Sequence, residues 1–266
     1  MGNNSPIGIF DSGVGGLTVL KEIKKLLPQE EIVYLGDTAR VPYGTRSEDT
    51  IIKYSHECAE FLLKYNIKLL VIACNTASAI SLEMIKERYS IPIIGVIKPG
   101  ASAAVIKTKT LKVGVIGTEA TIRSNAYTNA IKSINQEIEV FSKPCPLFVP
   151  LVEEGWSDTD VAEMTARKYL ETLISKDVDT LVLGCTHYPL LKKVIQNVMG
   201  QGVALVDSAI ETAKVVREIL QQYDLIAHKK EGDLEIFVTD SVERFKIIGE
   251  RFLDDTIGKI QKIVLK

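Results

Sequence analysis

Two cysteines occupy nearly the same setting at positions 111 residues apart. Leu70-Val71-Ile72-Ala73 leads into Cys74-Asn75-Thr76, and Leu181-Val182-Leu183-Gly184 leads into Cys185-Thr186-His187. Each thiol ends an apolar run of strand type and precedes polar residues that can cap a following helix, with Pro189 suited to the first turn of the second helix. An unperturbed thiol of pKa about 8.5 is only about 3% thiolate at pH 7, so forming the base costs roughly 2 kcal/mol. A helix N-terminus and polar neighbours offset part of that cost and supply free N–H groups for an anion. Two equivalent thiols facing each other across a cleft suit a reaction that takes a proton from one face of a carbon and returns one to the other. Inversion of a stereocentre is such a reaction.

Other residues could share that site. Asp11-Ser12-Gly13-Val14-Gly15-Gly16 follows an apolar strand and opens a helix, but it lacks the third glycine of a dinucleotide fingerprint and the Lys-Ser or Lys-Thr of a phosphate loop. What it offers is a carboxylate and a hydroxyl, Asp11 and Ser12, at a strand end. Asp37 closes the next strand, and the turn Pro42-Tyr43-Gly44 follows as a pocket lip whose amides can meet a carboxylate. His187, two residues past Cys185, either packs locally, tunes that thiol or protonates a substrate group. Glu153 and Glu154 precede a helical pattern, where paired acids often serve only as solvated charges, although the apolar residues ahead of them favour one facing inward. Cys58 and Cys145 read as small buried hydrophobes, and His56 and His228 as surface residues. A metal site built on Cys74, Cys185 and His187 lacks a fourth ligand and any ligand spacing, so no metal is expected.

The elements that must position these residues alternate along the chain. Short β-branched runs (Pro6–Phe10, Glu31–Leu35, Lys68–Ala73, Ile91–Val96, Leu111–Ile116, Glu137–Phe141, Val178–Gly184, Val203–Val206, Leu234–Val238) are interleaved with helical patterns such as Leu17–Leu27, Ser47–Tyr65, Ser78–Tyr89, Thr159–Ser175 and Ile210–Gln222. This is the signature of an α/β fold with mostly parallel sheets, which bind ligands beyond the C-terminal strand ends. Ile7-Gly8-Ile9-Phe10 resembles Val113-Gly114-Val115-Ile116, and with the cysteine match this points to two related units. The expected division is residues 1–97 with 207–266 on the Cys74 side, and 98–206 on the Cys185 side.

The 266 residues carry 32 basic and 34 acidic side chains, a net charge of −2 and a pI near 6.0, with 46% hydrophobic residues. No broad positive field exists to attract nucleic acid or an anionic membrane, so neither partner is expected, and an acidic ligand must be held by local groups. The N-terminal residues have no signal-peptide pattern, and no 18-residue apolar stretch occurs. A cytoplasmic protein with four reduced thiols is expected, without a C-x-x-C dithiol.

With these motifs in hand, the chain closely resembles the glutamate racemases of the cofactor-independent aspartate/glutamate racemase superfamily. The resemblance rests on Ile9-Phe10-Asp11-Ser12-Gly13-Val14-Gly15-Gly16, Gly36-Asp37-Thr38 with Pro42-Tyr43-Gly44, Ala73-Cys74-Asn75-Thr76-Ala77, Gly117-Thr118 with Thr121, Pro150-Leu151-Val152-Glu153 and Gly184-Cys185-Thr186-His187-Tyr188-Pro189. It implies two pseudosymmetric α/β domains with the active site between them, no cofactor, interconversion of L- and D-glutamate for peptidoglycan synthesis, and a homodimer. It further implies that Cys74 deprotonates D-glutamate and Cys185 L-glutamate, with Asp11 on the Cys74 side, His187 and Glu153 on the Cys185 side, and Asp37 as a further carboxylate. Ser12, Pro42, Tyr43, Gly44, Asn75, Thr76, Thr118, Thr121 and Thr186 would hold the substrate, together with Asp11 and His187. Two other readings compete. A non-catalytic two-domain amino-acid-binding protein has no need of two thiols at equivalent strand ends, and a cysteine hydrolase leaves one thiol unexplained.

Overall fold

A computed structural model of the chain describes residues 3–265. Its strands are, in order, β1 (Ile7–Asp11), β2 (Ile32–Gly36), β3 (Leu69–Ile72), β4 (Ile93–Gly95), β5 (Lys112–Gly117), β6 (Glu139–Pro144), β7 (Thr180–Gly184), β8 (Ala204–Asp207), β9 (Leu234–Val238) and β10 (Ile260–Lys262). They form two sheets, one of order β10-β9-β2-β1-β3-β4 and one of order β6-β5-β7-β8. Every pairing among the described residues is parallel, for example Gly8 with Val33 and Gly114 with Leu181. The chain is α/β, as its alternating pattern predicts.

The internal repeat has a topological counterpart. The run β2-β1-β3-β4 in the first sheet has the same order as β6-β5-β7-β8 in the second, so β3 and β7, which lead to the two cysteines, are equivalent strands. In both sheets the chain leaves the first strand of the unit to one side and returns on the other. The crevice beyond the C-terminal ends at such a reversal is where open α/β sheets bind ligands. Asp11 and Cys74 flank that crevice in one sheet, and Thr118 and Cys185 flank it in the other.

Helices cover both faces of the first sheet, which explains why its strands read as unbroken apolar runs. Ile7 and Ile9 of β1 face one cluster with Leu17, Leu20 and Val216, whereas Phe10 faces another with Ile51, Leu62 and Leu70. Strand β6 is half exposed at the edge of the second sheet, and Glu139 and Lys143 on it discourage pairing with another chain.

Several local expectations change. Helices Ile97–Lys107, Ala126–Ile134 and Val242–Leu253 and the short strand β10 are absent from the sequence pattern above. Pro99 and Gly100 disguise the first of these helices, whose buried residues beyond Ile97 and Pro99 are small: Gly100, Ala101, Ala103 and Ala104. Pro99 is tolerated because it lies in the first turn, where no intrahelical N–H partner is needed. The segment after Cys185 is a 3₁₀ turn, Tyr188–Leu191, and the α-helix Lys192–Met199 begins only after it. Glu153 and Glu154 precede the helix Asp160–Ile174 but do not stand at its N-terminus; Glu153 ends a short helix of its own, Phe148–Glu153.

Candidate active site

Cys74 is the N-cap of the helix Asn75–Arg88. Its Sγ accepts from the Ala77 amide at 3.5 Å, and its thiol donates to Ser12 Oγ at 3.6 Å. Burial pushes this thiol up to about 12, the nearby Asp11 carboxylate adds to the rise, and the Ala77 amide and Ser12 hydroxyl offset only part of it. Cys74 is therefore protonated at neutral pH. Asp11 itself is fully buried, and burial raises its carboxyl above the usual value despite His187 and the Gly13 and Gly16 amides. One of its oxygens accepts from Gly13 N at 2.9 Å, while Oδ1 has no partner among the described residues.

Cys185 has different neighbours. Without an α-helix starting directly behind it, support comes from a side chain: His187 Nδ1 lies 4.0 Å from Sγ, and His187 Nε2 lies 3.2 Å from Glu153 Oε1. Burial alone would lower the imidazole's pKa, but contact with Cys185 and Glu153 outweighs it and pushes His187 up to about 10. Glu153 is held below the usual carboxylate range, first by its bond to His187 and also by Arg244, although burial opposes this. An imidazolium is thus available to balance the charge when the Cys185 thiol loses its proton.

The two thiols line one narrow cavity of about 50 Å³ together with Ser12, Pro42, Tyr43, Gly44, Asn75, Thr76, Thr118, Glu153, Thr186 and His187. Gly13, Val41 and Val149, which are not among the expected site residues, complete its wall. A wider adjoining space of about 320 Å³ shares Val41, Pro42, Gly44, Thr118, Val149 and Glu153 with it.

Three of the expected site residues stand behind the wall. Asp11 is covered by the loop it anchors. Thr121 is buried and bonds to Thr76 at 3.2 Å and Thr118 at 2.9 Å, which themselves lie 2.9 Å apart; this hydroxyl cluster joins the two units. Asp37 accepts from Tyr43 OH at 2.5 Å, Arg40 Nε at 2.6 Å and Thr239 Oγ1 at 2.9 Å, so it anchors the Pro42–Gly44 lip from behind. Arg40, three residues along the chain, and Thr239, from the far end of it, belong to this support, and Thr239 gives no short-range sequence signal.

Close approach of the units depends on Gly15. A Cβ there would fall 2.6 Å from His187 Nδ1 and would also meet the Thr186 hydroxyl, so only glycine fits. Thr18 Oγ1 bonds to the Thr186 carbonyl at 3.2 Å across the same boundary. On the other side, helix Val242–Leu253 sends Arg244 to Glu153 Oε2 at 3.5 Å and Arg251 to the Glu153 carbonyl at 3.0 Å, and Phe252 meets the His187 ring edge-on at 5.2 Å. Among the described residues no cluster of three or more His, Cys, Asp or Glu side chains is arranged to hold a metal ion.

Comparison with known proteins agrees with this geometry. The model of the Asp/Glu/Hydantoin racemase family matches residues 7–216, which include every residue of the cavity. The chain belongs to this family. Within it, the chain groups with the glutamate racemases: it is 58% identical over 261 residues to the glutamate racemase of Geobacter metallireducens, covering 98% of this chain and 97% of that one. Among solved structures, the glutamate racemase isoform RacE1 from Bacillus anthracis superposes with a TM-score of 0.96 at 43% identity, covering 99% of this chain and 98% of that one. The enzyme from Francisella tularensis, solved in complex with D-glutamate, superposes with a TM-score of 0.94 at 40% identity and covers 99% of both chains. The chain is accordingly an isomerase. No helix of the described residues is long and apolar enough to cross a membrane.

Proposed function

We propose that this chain interconverts L- and D-glutamate without a cofactor, with Cys74 and Cys185 acting from opposite faces of the α-carbon. The observation that carries this reading is the convergence of two thiols, from equivalent strands of two sheets, on one cavity.

The surroundings divide the roles of the two thiols. Cys74, held protonated by burial and by Asp11, is the acid. Cys185, facing the His187 imidazolium, is the base. On the face assignment implied by the family, Cys185 takes the α-proton of L-glutamate and Cys74 delivers its own proton to the other face. This leaves D-glutamate, a thiol at Cys185 and a thiolate at Cys74; the reverse reaction begins from that state. To reset the pair, a proton returns to Cys74 and one leaves Cys185. Asp11, with its raised carboxyl and unpartnered Oδ1, stands beside the first thiol, and His187 beside the second.

Glutamate carries two carboxylates, and negative charge spreads onto the α-carboxylate as the α-proton leaves. The hydroxyls of Ser12, Thr76, Thr118 and Thr186, the amide of Asn75 and the first amides of helix Asn75–Arg88 are donors fixed in place before the reaction starts. Exclusion of water strengthens them. The D-glutamate formed would supply peptidoglycan synthesis in the cytoplasm.

Circular dichroism of the purified protein with L-glutamate or L-aspartate tests this reading. The signal of L-glutamate decays to zero while that of L-aspartate persists over the same period. A persistent glutamate signal, with glutamate nevertheless bound, would instead support the binding-protein reading.

A further inference from the structure

Asn75 lines the cavity, is only 2% exposed, and its Nδ2 is buried without a hydrogen-bond partner among the described residues. A buried donor left unpaired is costly, so this one calls for a partner that only the cavity can supply. Its other end is occupied: the Tyr127 hydroxyl donates to Asn75 Oδ1 at 2.7 Å. Tyr127 comes from helix Ala126–Ile134 of the Cys185 side and is itself 2% exposed.

We infer that Tyr127 is a positioning residue, which fixes the Asn75 amide so that Nδ2 faces the cavity and donates to a carboxylate of the substrate. The inference rests on the reading above that Asn75 touches glutamate. A primary amide can sit in either of two orientations, and its neighbours decide between them. Burial keeps the Tyr127 phenol protonated, and the Ser208 hydroxyl beside it donates a hydrogen bond to its oxygen. That leaves the Tyr127 O–H free to donate to Asn75, which must answer with its carbonyl. With the amide reversed, Oδ1 would face the substrate carboxylate and repel it.

The ring is held as firmly as its hydroxyl. A Cβ on Gly184 would lie 3.0 Å from Tyr127 Cε2, and one on Gly100 would lie 3.2 Å from Cε1, so the ring fits a slot between two glycines. Gly184 immediately precedes Cys185. The same ring therefore packs beneath one thiol and orients the amide next to the other.

The test compares Tyr127→Phe, Asn75→Ala, the double variant and Asn75→Asp in steady-state racemisation of both enantiomers, with thermal midpoints recorded. Tyr127→Phe keeps the ring and is expected to raise KM about 10-fold while kcat changes by less than about 3-fold, corresponding to about 1.4 kcal/mol of binding. In the Asn75→Ala background it adds nothing further, because there is no amide left to orient. Asn75→Asp is expected to raise KM more than Asn75→Ala, since it places an acceptor where Nδ2 stood; this comparison does not depend on whether Tyr127→Phe folds. An equal effect of Tyr127→Phe with and without Asn75, or no effect at all, would overturn the positioning role. Should Asn75→Ala leave KM unchanged, the Asn75 contact fails and the inference with it, while the two-thiol chemistry is untouched.

Discussion

Replacing either Cys74 or Cys185 by serine is expected to lower racemisation by about 10³-fold or more, and to do so in both directions. A positioned acid or base contributes about 10²–10⁴-fold on its own, and here one thiol is the base in each direction while the other is the acid. Serine keeps the shape and the hydrogen bonds, but an alcohol releases its proton far less readily than a thiol. Neither direction can escape, because the group that is lost is needed as base one way and as acid the other. Cys58 and Cys145 serve as internal controls. Both are fully buried, burial pushes both thiols up, and neither lines the cavity. Their replacement by alanine costs stability through the lost packing but leaves kcat within a few-fold. Progress curves from each enantiomer, with melting temperatures as a folding control, check this; a Cys74→Ser or Cys185→Ser enzyme with more than a tenth of native activity would contradict it.

The second large effect belongs to His187. Its pKa is set by two opposed influences, burial pulling it down and contact with Cys185 and Glu153 raising it, and the outcome is about 10. The imidazolium is thus retained through neutral pH. The activity that depends on it is expected to fall along an alkaline limb near pH 10 as the proton is lost. His187→Asn should reduce kcat by about 10²-fold near pH 7, more strongly when Cys185 is the base, and should abolish that limb. The stability consequence has a definite sign. A histidine whose folded pKa lies above its unfolded value of about 6.5 stabilises the fold fully below that pH, and this contribution is lost as pH rises toward about 10. Thermal midpoints of the native and His187→Asn proteins should therefore differ most at acidic to neutral pH and converge above pH 10. A pH–rate profile unchanged by the substitution would count against His187 as the partner of Cys185.

Much of this arrangement is legible in the residues, and the reasons for the exceptions are physical. The matched cysteines stand out because each ends a strand buried on both faces, so its apolar run is unbroken and its end abrupt. The repeat identifies equivalent strands even though few residues match, because strand order is set by connection rather than by side-chain identity. By local pattern Glu153 is only one of two acids, and the family resemblance is what singles it out. Pro150 and Gly155 look like loop residues, yet Pro150 fits within the short helix Phe148–Glu153 and Gly155, at φ +78, ends it. The groups that the residues do not reveal act across the chain. Tyr127 reaches Asn75 from 52 positions away, Thr239 reaches Asp37 from 202, and Arg244 reaches Glu153 from the C-terminal helix. No local pattern encodes such contacts. The structure also redistributes the support for the two thiols: a helix terminus serves Cys74, whereas a 3₁₀ turn after Cys185 leaves that task to His187 and Glu153.

The two-thiol account is tested most directly by isotope exchange at low conversion. L-glutamate with protium at its α-carbon is incubated with the enzyme in D₂O, and the reaction is stopped after a few per cent has turned over. Two bases on opposite faces predict D-glutamate carrying one α-deuterium and remaining L-glutamate still carrying protium, with the mirror result from D-glutamate. D-glutamate that retains the original proton, or deuterium appearing equally in both enantiomers, would show a single base serving both faces and would contradict the account.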